Sequence, residues 1–451
     1  MGVMPVNRLL LTMGVPMMIS MLVQALYNIV DSMFVSRISE DALSALSLAF
    51  PAQNLMIAVA VGAGVGINAA LSKSLGEKDF ERANRAACNG LFLALLHFFV
   101  FFLLGLFFTR LFFSVQVAPN ETGIIGYGTD YLRICTMASF GMFGEITAER
   151  LLQSTGRTVQ AMLIQLIGAV INLVLDPILI FGLFGFPRLE VAGAAIATVL
   201  GQIIAMVVGL YLNFRHNPEI RLSFKGFRPD GDMIRRIYRV GVPTMVMNAI
   251  GSVMVFSMNQ ILIGFTKTAT AVFGVYFKLQ SFIFMPVFGL NNAIVPIISY
   301  NYGARNRDRI IRTIRLGVLY AVLLMVVGFV LFQTIPDKLL LLFDASEEML
   351  AIGTVALRAI SFSYLLAGYC IVCGSVFQAF GRGMLSLIVS LVRQLFLLLP
   401  LAYLLSLTGR LDLIWYAFPL AELGSLTAST IGLVRLYRQE IRYLTPEKEE
   451  R

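Results

Sequence analysis

The segment 160–184 reads QAMLIQLIGAVINLVLDPILIFGLF, an apolar run interrupted near its middle by an amide, a carboxyl group and a proline. A helix of this length can cross the hydrocarbon core of a bilayer. Asn172 and Asp176 are four residues apart, so a helix places them on one face. Pro177 lacks the backbone N–H that a helix interior uses, and it predicts a bend or a loosened turn beside the acid.

An acid at membrane depth has a restricted set of explanations. Placing a charged side chain there costs about 2.5 kcal/mol or more, so it normally faces a bundle interior or a wet cavity. We therefore interpret Asp176 as a candidate proton or cation site. The competing interpretation is structural: Asn172 and the carbonyls freed by Pro177 hold the acid only to stabilise the bend.

The composition of the chain indicates a polytopic membrane protein. Its 451 residues are 58% hydrophobic and 14% charged, with a mean hydropathy of +0.81, whereas soluble proteins carry about 25% charged residues. The four cysteines predict no disulfide framework, and Cys370 and Cys373 stand in an apolar run typical of helix packing. Of the two histidines, His216 lies in a loop and His97 in an aromatic span, and this pair cannot build a zinc site or a Ser-His-Asp relay.

Apolar segments predict twelve membrane-spanning helices. They lie near residues 9–36, 43–72, 88–112, 129–154, 160–184, 191–214, 237–264, 271–300, 311–335, 352–380, 385–407 and 414–437. Clusters of Lys and Arg follow spans two, six, eight and twelve, whereas the opposite loops carry one basic residue each. The positive-inside rule therefore predicts cytoplasmic termini. This topology accounts for the net charge of +9 without a nucleic-acid partner.

The sequence also repeats itself. The tripeptide GVP at 14–16 returns at 241–243, and Gly76 returns as Gly303, both at an offset of 227. Because each half holds six predicted spans, the halves have the same orientation and form a parallel pseudo-two-fold repeat about the membrane normal. Such repeats are typical of alternating-access transporters, which bind substrate near the midplane between the repeats.

This repeat predicts the domain organisation of an all-α integral membrane protein. The expected parts are an N-terminal lobe over 1–214, a cytoplasmic linker over 215–236, and a C-terminal lobe with its tail over 237–451. Pro16 and Pro177 are the predicted points of helix bending.

Polar residues are concentrated in the N-terminal half. Span one carries a stripe at helical spacing that consists of Gln24, Tyr27, Asn28 and Asp31. Span four carries Glu145 and Glu149, again four apart, with Arg150 beside them. Two like charges at this spacing repel, so one is expected to be protonated or paired with Arg150, either as part of a relay or as a structural cluster that ties helices together. Thr198 in span six offers a hydroxyl that could complete an oxygen-lined site.

The C-terminal half differs in its charges. Spans seven to eleven contain no Asp or Glu, and Lys278 and Arg358 lie within apolar runs. Glu422 in span twelve is the exception. We therefore expect the cation-coupling acids to be in the N-terminal lobe.

Methionines suggest a substrate class. Spans one and seven are rich in this adaptable, polarizable residue, at Met13, Met17, Met18, Met21, Met33, Met245, Met247, Met254 and Met258. Met-rich surfaces recur in promiscuous binders, and aromatic rings with carboxylates attract cations. The pattern favours flat lipophilic cations as substrates, although ordinary packing against lipid or core explains any single Met.

Several motifs together resemble a known family. LSKSLGEKDFERA (71–83), SYNYGARNRDRI (299–310), LLQSTGRT (151–158), VFQAFGRG (376–383) and NLVLDP (172–177), with the paired GVP openings, are similar to those of the MATE (multidrug and toxic compound extrusion) transporters. KLQSF (278–282) and FMPVFGL (284–290) resemble the bacterial MepA-like branch. The resemblance extends from about residue 7 to residue 437.

The resemblance implies a monomeric antiporter in the bacterial cytoplasmic (inner) membrane that exports organic cations in exchange for H⁺ or Na⁺, without a cofactor. The family's cation site corresponds here to Asp31, Asn172, Asp176 and Thr198, with Tyr27 one turn before the first acid; these four would hold Na⁺ if Na⁺ is the coupling ion. Glu149 stands where some relatives have an amide, and the C-lobe acids of some Na⁺-coupled members are absent. The resemblance therefore leaves the choice of ion open.

Three other functions compete with this one. A flippase for a lipid-linked oligosaccharide or a related lipid has two similar lobes and needs a cationic cleft; Lys278 and Arg358 keep it open, while the N-lobe acids argue against it. An intramembrane enzyme would need a catalytic motif, and no HExxH occurs in the sequence. A passive channel is disfavoured by the lobe repeat. The expected partners are therefore lipophilic cations and membrane lipids, and Gln24, Asn28, Glu145, Glu149 and Lys278 are candidate relay or substrate-binding residues.

Overall fold

The computed structural model describes residues 1–117, 121–343 and 345–445, and it contains helices and no strand over these ranges. The first eight helices are α1 (Val6–Ser36), α2 (Glu40–Gly76), α3 (Phe80–Phe107), α4 (Thr109–Gln116), α5 (Thr122–Met137), α6 (Phe140–Ser154), α7 (Thr158–Phe181) and α8 (Glu190–His216). An all-helical fold is what a chain in lipid requires, because each helix satisfies its own backbone hydrogen bonds.

The second half of the chain continues in the same way. Its helices are α9 (Gly231–Ile263), α10 (Lys267–Gly303), α11 (Arg307–Thr334), α12 (Pro336–Leu341), α13 (Glu347–Ser361), α14 (Tyr364–Ala379), α15 (Gly383–Leu391), α16 (Leu399–Ser406), α17 (Leu411–Ile414) and α18 (Ala417–Gln439). A π-helical segment, Val392–Leu398, joins α15 to α16 without a break.

Each predicted span falls on a helix or on a pair of consecutive helices. Within the described ranges, ten spans are long and apolar enough to cross a membrane by themselves, and α13 with α14, bent by 50° at their junction, make an eleventh. The fourth predicted span falls on α5 and α6, which are separated by two residues and are only 16 and 15 residues long. The segment between α8 and α9 covers 217–230 and is shorter than the predicted linker 215–236, because residues 215–216 still belong to α8 and residues 231–236 already belong to α9.

The caps of the helices repeat at the same offset as the sequence motifs. Ser39 caps α2 by accepting a hydrogen bond from the Ala42 N–H at 3.1 Å, and its counterpart in the repeat, Thr266, caps α10 with the Ala269 N–H at 3.2 Å. Asp79 and Asn306 cap α3 and α11 in the same manner. The internal repeat is therefore also a repeat of local structure.

The described chain divides into two compact units. The N-terminal unit comprises Ile19–Met245, and the C-terminal unit comprises Met1–Met18 with Val246–Arg451. The first parts of α1 and α9 thus belong to the unit built mainly from the other half of the sequence. The predicted lobes 1–214 and 237–451 differ from these units at those two points and stay a prediction.

Glycines explain why the first parts of α1 and α9 pack where they do. A Cβ on Gly289 of α10 would lie 2.5 Å from the Met17 carbonyl oxygen of α1, within the C-terminal unit. A Cβ on Gly62 of α2 would lie 2.8 Å from the Gly241 carbonyl oxygen of α9, within the N-terminal unit. Gly62 and Gly289 stand at equivalent positions of the two halves, so the repeat preserves these close approaches. In lipid such backbone contact is a main source of helix association.

Replacing Gly289 by valine is expected to separate α1 from α10. The added carbons would meet Met17 and Met18 backbone atoms at 2.5 and 2.6 Å, which forces a backbone shift that costs about 1–3 kcal/mol or more. A lower melting temperature and poorer recovery of monodisperse protein in detergent would report this effect. The matched control is Gly274→Val on the same helix, where a Cβ meets no atom within 4 Å; equal melting of the two variants would contradict the argument.

Candidate functional site

The centre of the N-terminal unit is a close approach of α7 and α8. A Cβ on Gly201 would lie 2.7 Å from the Gly168 carbonyl oxygen and 3.4 Å from the Asn172 Cβ. Because both positions are glycine, the two backbones come together one helical turn before Asn172 in α7. This packing is what places the Asn172 amide against Thr198 of α8.

Asn172 joins two of the predicted cation-coupling side chains. With its amide nitrogen turned toward Asp176, it donates to Asp176 Oδ2 at 3.1 Å, and its oxygen accepts from the Thr198 hydroxyl at 3.1 Å. Asn172 and Asp176 are both buried, with 3% and 0% of their surface exposed. A buried amide with satisfied hydrogen bonds holds the acid in one orientation.

Asp31 from α1 completes the group. Its carboxyl group hydrogen-bonds that of Asp176, and its Oδ1 is buried with no hydrogen-bond partner among the described residues. Ionised carboxylates have only acceptor oxygens, so a hydrogen bond between two of them requires a proton on one. The spare Oδ1 is a further acceptor for a proton or a hard cation.

A small polar cavity adjoins this pair. It has a volume of about 70 Å³, enough for several water molecules but far below the roughly 300 Å³ of pockets that enclose drug-sized ligands. Its walls are formed by Gln24, Tyr27, Glu145, Gln165, Gly168, Ala169, Asn172, Thr198 and Gln202. Tyr27 lies within electrostatic range of Asp31, Asp176 and Glu145, so one residue of the cavity wall is near both the paired acids and the acid of α6.

Glu149 lies in a buried hydrogen-bond network beside the cavity. Gln153 donates to Glu149 Oε1 at 2.5 Å and accepts from Arg150 Nη1 at 2.8 Å, so its amide bridges the acid and the guanidinium. The Arg150 side chain also packs against Gly64 of α2. The expectation that one of the two glutamates is protonated or paired with Arg150 stays a prediction, and Glu149 remains within electrostatic range of Glu145, which lines the cavity.

Other predicted residues lie outside the cavity. Asn28 is exposed, and it does not line the cavity as its neighbours Gln24 and Tyr27 do. Lys278 belongs to the C-terminal unit, is exposed, and lies over the Phe343 ring at 5.8 Å. Pro16 and Pro177 stand inside α1 and α7, and both helices continue through them without a break.

Sequence reasoning missed several polar side chains of the site. Gln165 donates to Gln24 Oε1 at 3.1 Å and thereby ties α7 to α1, while Gln202 of α8 lines the cavity. On another side, Gln53 donates to the Tyr131 hydroxyl at 3.0 Å in the neighbourhood of Asp31. Gln165 stands seven residues before Asn172 on the same face, and this spacing was the available signal.

The donors of the site suit a hard monovalent cation better than a transition metal. Within the described ranges, no cluster of three His, Cys, Asp or Glu side chains could hold a metal ion. Asp31, Asp176, Asn172 and Thr198 instead offer carboxylate, amide and hydroxyl oxygens, the donors that hard cations prefer.

Changing Thr198 to valine is expected to loosen the site while keeping its shape. The variant removes the hydroxyl that donates to the buried Asn172 oxygen and leaves that oxygen only the Thr198 backbone N–H at 3.1 Å, a loss of about 1 kcal/mol. A thermal melt of the purified protein would show a lower midpoint than that of the control Thr122→Val, which alters an exposed threonine at the start of α5. Identical midpoints would mean that the Asn172–Thr198 contact contributes nothing.

Comparisons with known proteins agree on one family. A family model described as MatE matches residues 16–178 and again 243–404. The starts of the two matches differ by the same offset as the GVP motifs and the helix caps, so the family model recognises each half of the repeat.

Individual relatives cover nearly the whole chain. A protein named FAD transporter from Shewanella oneidensis is 27% identical over 424 residues, or 93% of this chain and 92% of the relative. The multidrug export protein MepA of Staphylococcus haemolyticus is 27% identical over 403 residues, or 89% and 88%. A solved structure described as the outward-facing conformation of a multidrug resistance MATE family transporter has a TM-score of 0.90 at 25% identity, covering 97% of this chain and 96% of that one.

Proposed function

Because this chain belongs to the MatE family of membrane transporters, we propose that it is an antiporter that exports lipophilic organic cations in exchange for H⁺ or Na⁺ by alternating access. The family consists of transporters and not of enzymes, and the relatives named for multidrug export support the export direction. The observation that carries the proposal is the hydrogen-bonded carboxyl pair, Asp31 and Asp176, beside a polar cavity.

The carboxyl pair gives the coupling ion a place to act. When H⁺ or Na⁺ from outside loads the pair, the repulsion between two buried carboxylates is removed and α1 can pack against α7. When neither the coupling H⁺ nor Na⁺ is bound to the pair, its negative charge favours the binding of an organic cation nearby. The ion drives the transport cycle only to the extent that it binds one conformation more tightly than the other.

Contacts between α1 and α7 provide the link from the ion site to the helix. Gln165 holds both Gln24 and the Ser20 hydroxyl, which precede Asp31 on the same helix. Gln165 therefore holds the part of α1 that precedes Asp31 against α7. A change in charge at Asp31 changes the electrostatic energy of this contact between the two helices. Pro16 lies just before this segment and is the proposed point of bending.

Two other cargoes need to be tested against organic cations. The flippase alternative requires a cationic cleft, but Lys278 and Arg358 are both exposed, and Lys278 rests over an aromatic ring. The relative named FAD transporter suggests a flat anionic dinucleotide as a competing cargo. Adding FAD as a competitor to the assay below separates the two classes of cargo.

The decisive experiment measures efflux of ethidium from proteoliposomes under an imposed pH gradient or an imposed Na⁺ gradient. We expect Asp176→Asn to reduce gradient-driven efflux by about tenfold or more, because asparagine keeps the shape but neither takes up a proton nor carries the charge. The matched control is Asp130→Asn, which alters an exposed acid on α5. Full coupled efflux by Asp176→Asn at normal expression would refute the proposal.

The same assay also identifies the ion. Efflux driven by pH alone, together with a loss of activity in Glu145→Gln, would make the cavity a proton path between Glu145 and the Asp31–Asp176 pair. Efflux that requires Na⁺ and is impaired by Thr198→Val would indicate an oxygen cage around Na⁺. Inhibition of ethidium efflux by FAD would favour the anionic cargo.

A further inference from the structure

A second polar cavity lies within the C-terminal unit. Its volume is about 70 Å³. Three kinds of side chain form most of its wall: the ion pair Arg393–Glu422, the amides Gln280 and Gln394, and aromatic rings. The rings are those of Tyr276, Phe277, Phe284 and Phe418. Neither the family resemblance nor the proposed coupling mechanism assigns a role to this cavity.

A π-helical segment shapes one wall of the cavity. Val392–Leu398 closes with a hydrogen bond from the Leu399 N–H to the Gln394 carbonyl oxygen, which spans five residues instead of four. Such segments are rare and occur often at functional sites, because they change which side chains face inward. Here the segment brings both Arg393 and Gln394 to the cavity.

Glu422 is the unusual group. It is 4% exposed, its Oε2 meets Arg393 Nη1 at a single contact of 3.5 Å, and its buried Oε1 has no hydrogen-bond partner among the described residues. Its other titratable neighbours are Cys370 of α14, whose thiol is a weak hydrogen-bond partner of the carboxyl group, and Tyr276. A buried carboxylate with an unused acceptor oxygen is costly unless another donor or cation meets it.

The two members of the ion pair differ in burial, and this difference decides whether the expected ligand is an anion or a cation. The Arg393 side chain is 32% exposed and has room to turn away from Glu422, whereas the Glu422 side chain is 6% exposed and has none. An anion on Arg393 would strand the carboxylate without a partner. A cation on Glu422 would satisfy it and would release only the less buried member of the pair.

The aromatic rings also suit a cation. Tyr276 packs edge to face against Phe418 at 6.0 Å and against Phe277 at 5.5 Å, so ring faces and edges surround the space. Aromatic cages of this type attract quaternary ammonium groups through the negative faces of their rings. The small volume admits a cationic head group and not an entire drug.

We propose that the cavity between α10, α14, the π-helical segment and α18 binds the cationic head group of a small molecule, with Glu422 as its counter-ion and the aromatic rings as its walls. The proposal deepens the export function and rests on it. It adds a binding site in the unit that lacks the Asp31–Asp176 pair.

The chain contains its own reporter of this site. Trp415 is its single tryptophan, and it is fully buried beside Phe273 at 6.3 Å. Phe273 in turn stacks on Tyr276 of the cavity wall at 6.1 Å. A ligand that settles against Tyr276 is expected to change the fluorescence of Trp415.

The experiment titrates the purified full-length protein in detergent with benzyltrimethylammonium and follows Trp415 emission. This probe carries a fixed charge, a quaternary head and one aromatic ring. The control ligand is neopentylbenzene, a neutral molecule of the same shape. We expect a saturable change with the cation and binding at least about tenfold weaker with the neutral isostere. Equal binding of both ligands, or a response to benzoate in place of the cation, would overturn the proposal.

Two variants test the assignment of the counter-ion. Glu422→Gln is expected to weaken binding of the cation by about tenfold or more, because it removes the charge and keeps the size. Arg393→Gln is expected to strengthen it, because the competing internal cation is gone. Unchanged affinity in Glu422→Gln, with a normal melting temperature, would refute the site; if that variant does not fold, the comparison of charged and neutral ligands in the native protein still decides.

Failure of this proposal is distinguishable from failure of the coupling proposal. Asp176→Asn alters ion-driven efflux and is expected to leave the response of Trp415 to benzyltrimethylammonium unchanged. Glu422→Gln is instead expected to weaken the response of Trp415 to benzyltrimethylammonium. Loss of the Trp415 response in Asp176→Asn but not in Glu422→Gln would place the cation in the N-terminal unit and would refute the cavity.

Discussion

Contact between glycine backbones is the constraint on which this structure depends. In lipid there is little hydrophobic gain when one apolar helix meets another, so helices associate through close packing and buried polar contacts. Gly201 lets α8 reach α7, and Gly62 and Gly289 let α2 and α10 receive the first parts of α9 and α1. Polar side chains meet only because these backbones approach; the Asn172–Thr198 contact is the direct consequence at the proposed ion site.

The two halves share their frame and differ in their polar chemistry. Caps and close approaches recur at one constant offset, yet Met258, the counterpart of Asp31 in the second half, is fully buried and apolar. The N-terminal unit holds a carboxyl pair, and the described residues of its cavity wall include no arginine, whereas the cavity of the C-terminal unit holds an arginine–glutamate pair among aromatic rings. The backbone pattern tolerates this divergence because caps and glycine contacts do not depend on the side chains that face the cavities.

Part of the proposed ion site followed from spacing. Asn172 and Asp176 share a helix face, and their contact needed only the helical period. Asp31 and Thr198 come from other helices, and their place beside Asp176 entered through the resemblance to a family. Gln165 and Gln202 were not singled out, since amides in apolar spans are common and their partners, such as Gln24, lie far away in the chain.

The sequence by itself determined the helical class, the approximate spans, the repeat and the candidate acids, because hydropathy, periodicity and motif spacing are local properties of the chain. Only the tertiary structure decided that α1 and α9 each belong to two compact units, that Glu145 lines the cavity whereas Glu149 accepts from Gln153, and that a π-helical segment turns Arg393 toward Glu422. These features depend on which helices touch and at what rotation. That choice is made by packing between residues far apart in sequence, where spacing carries no information.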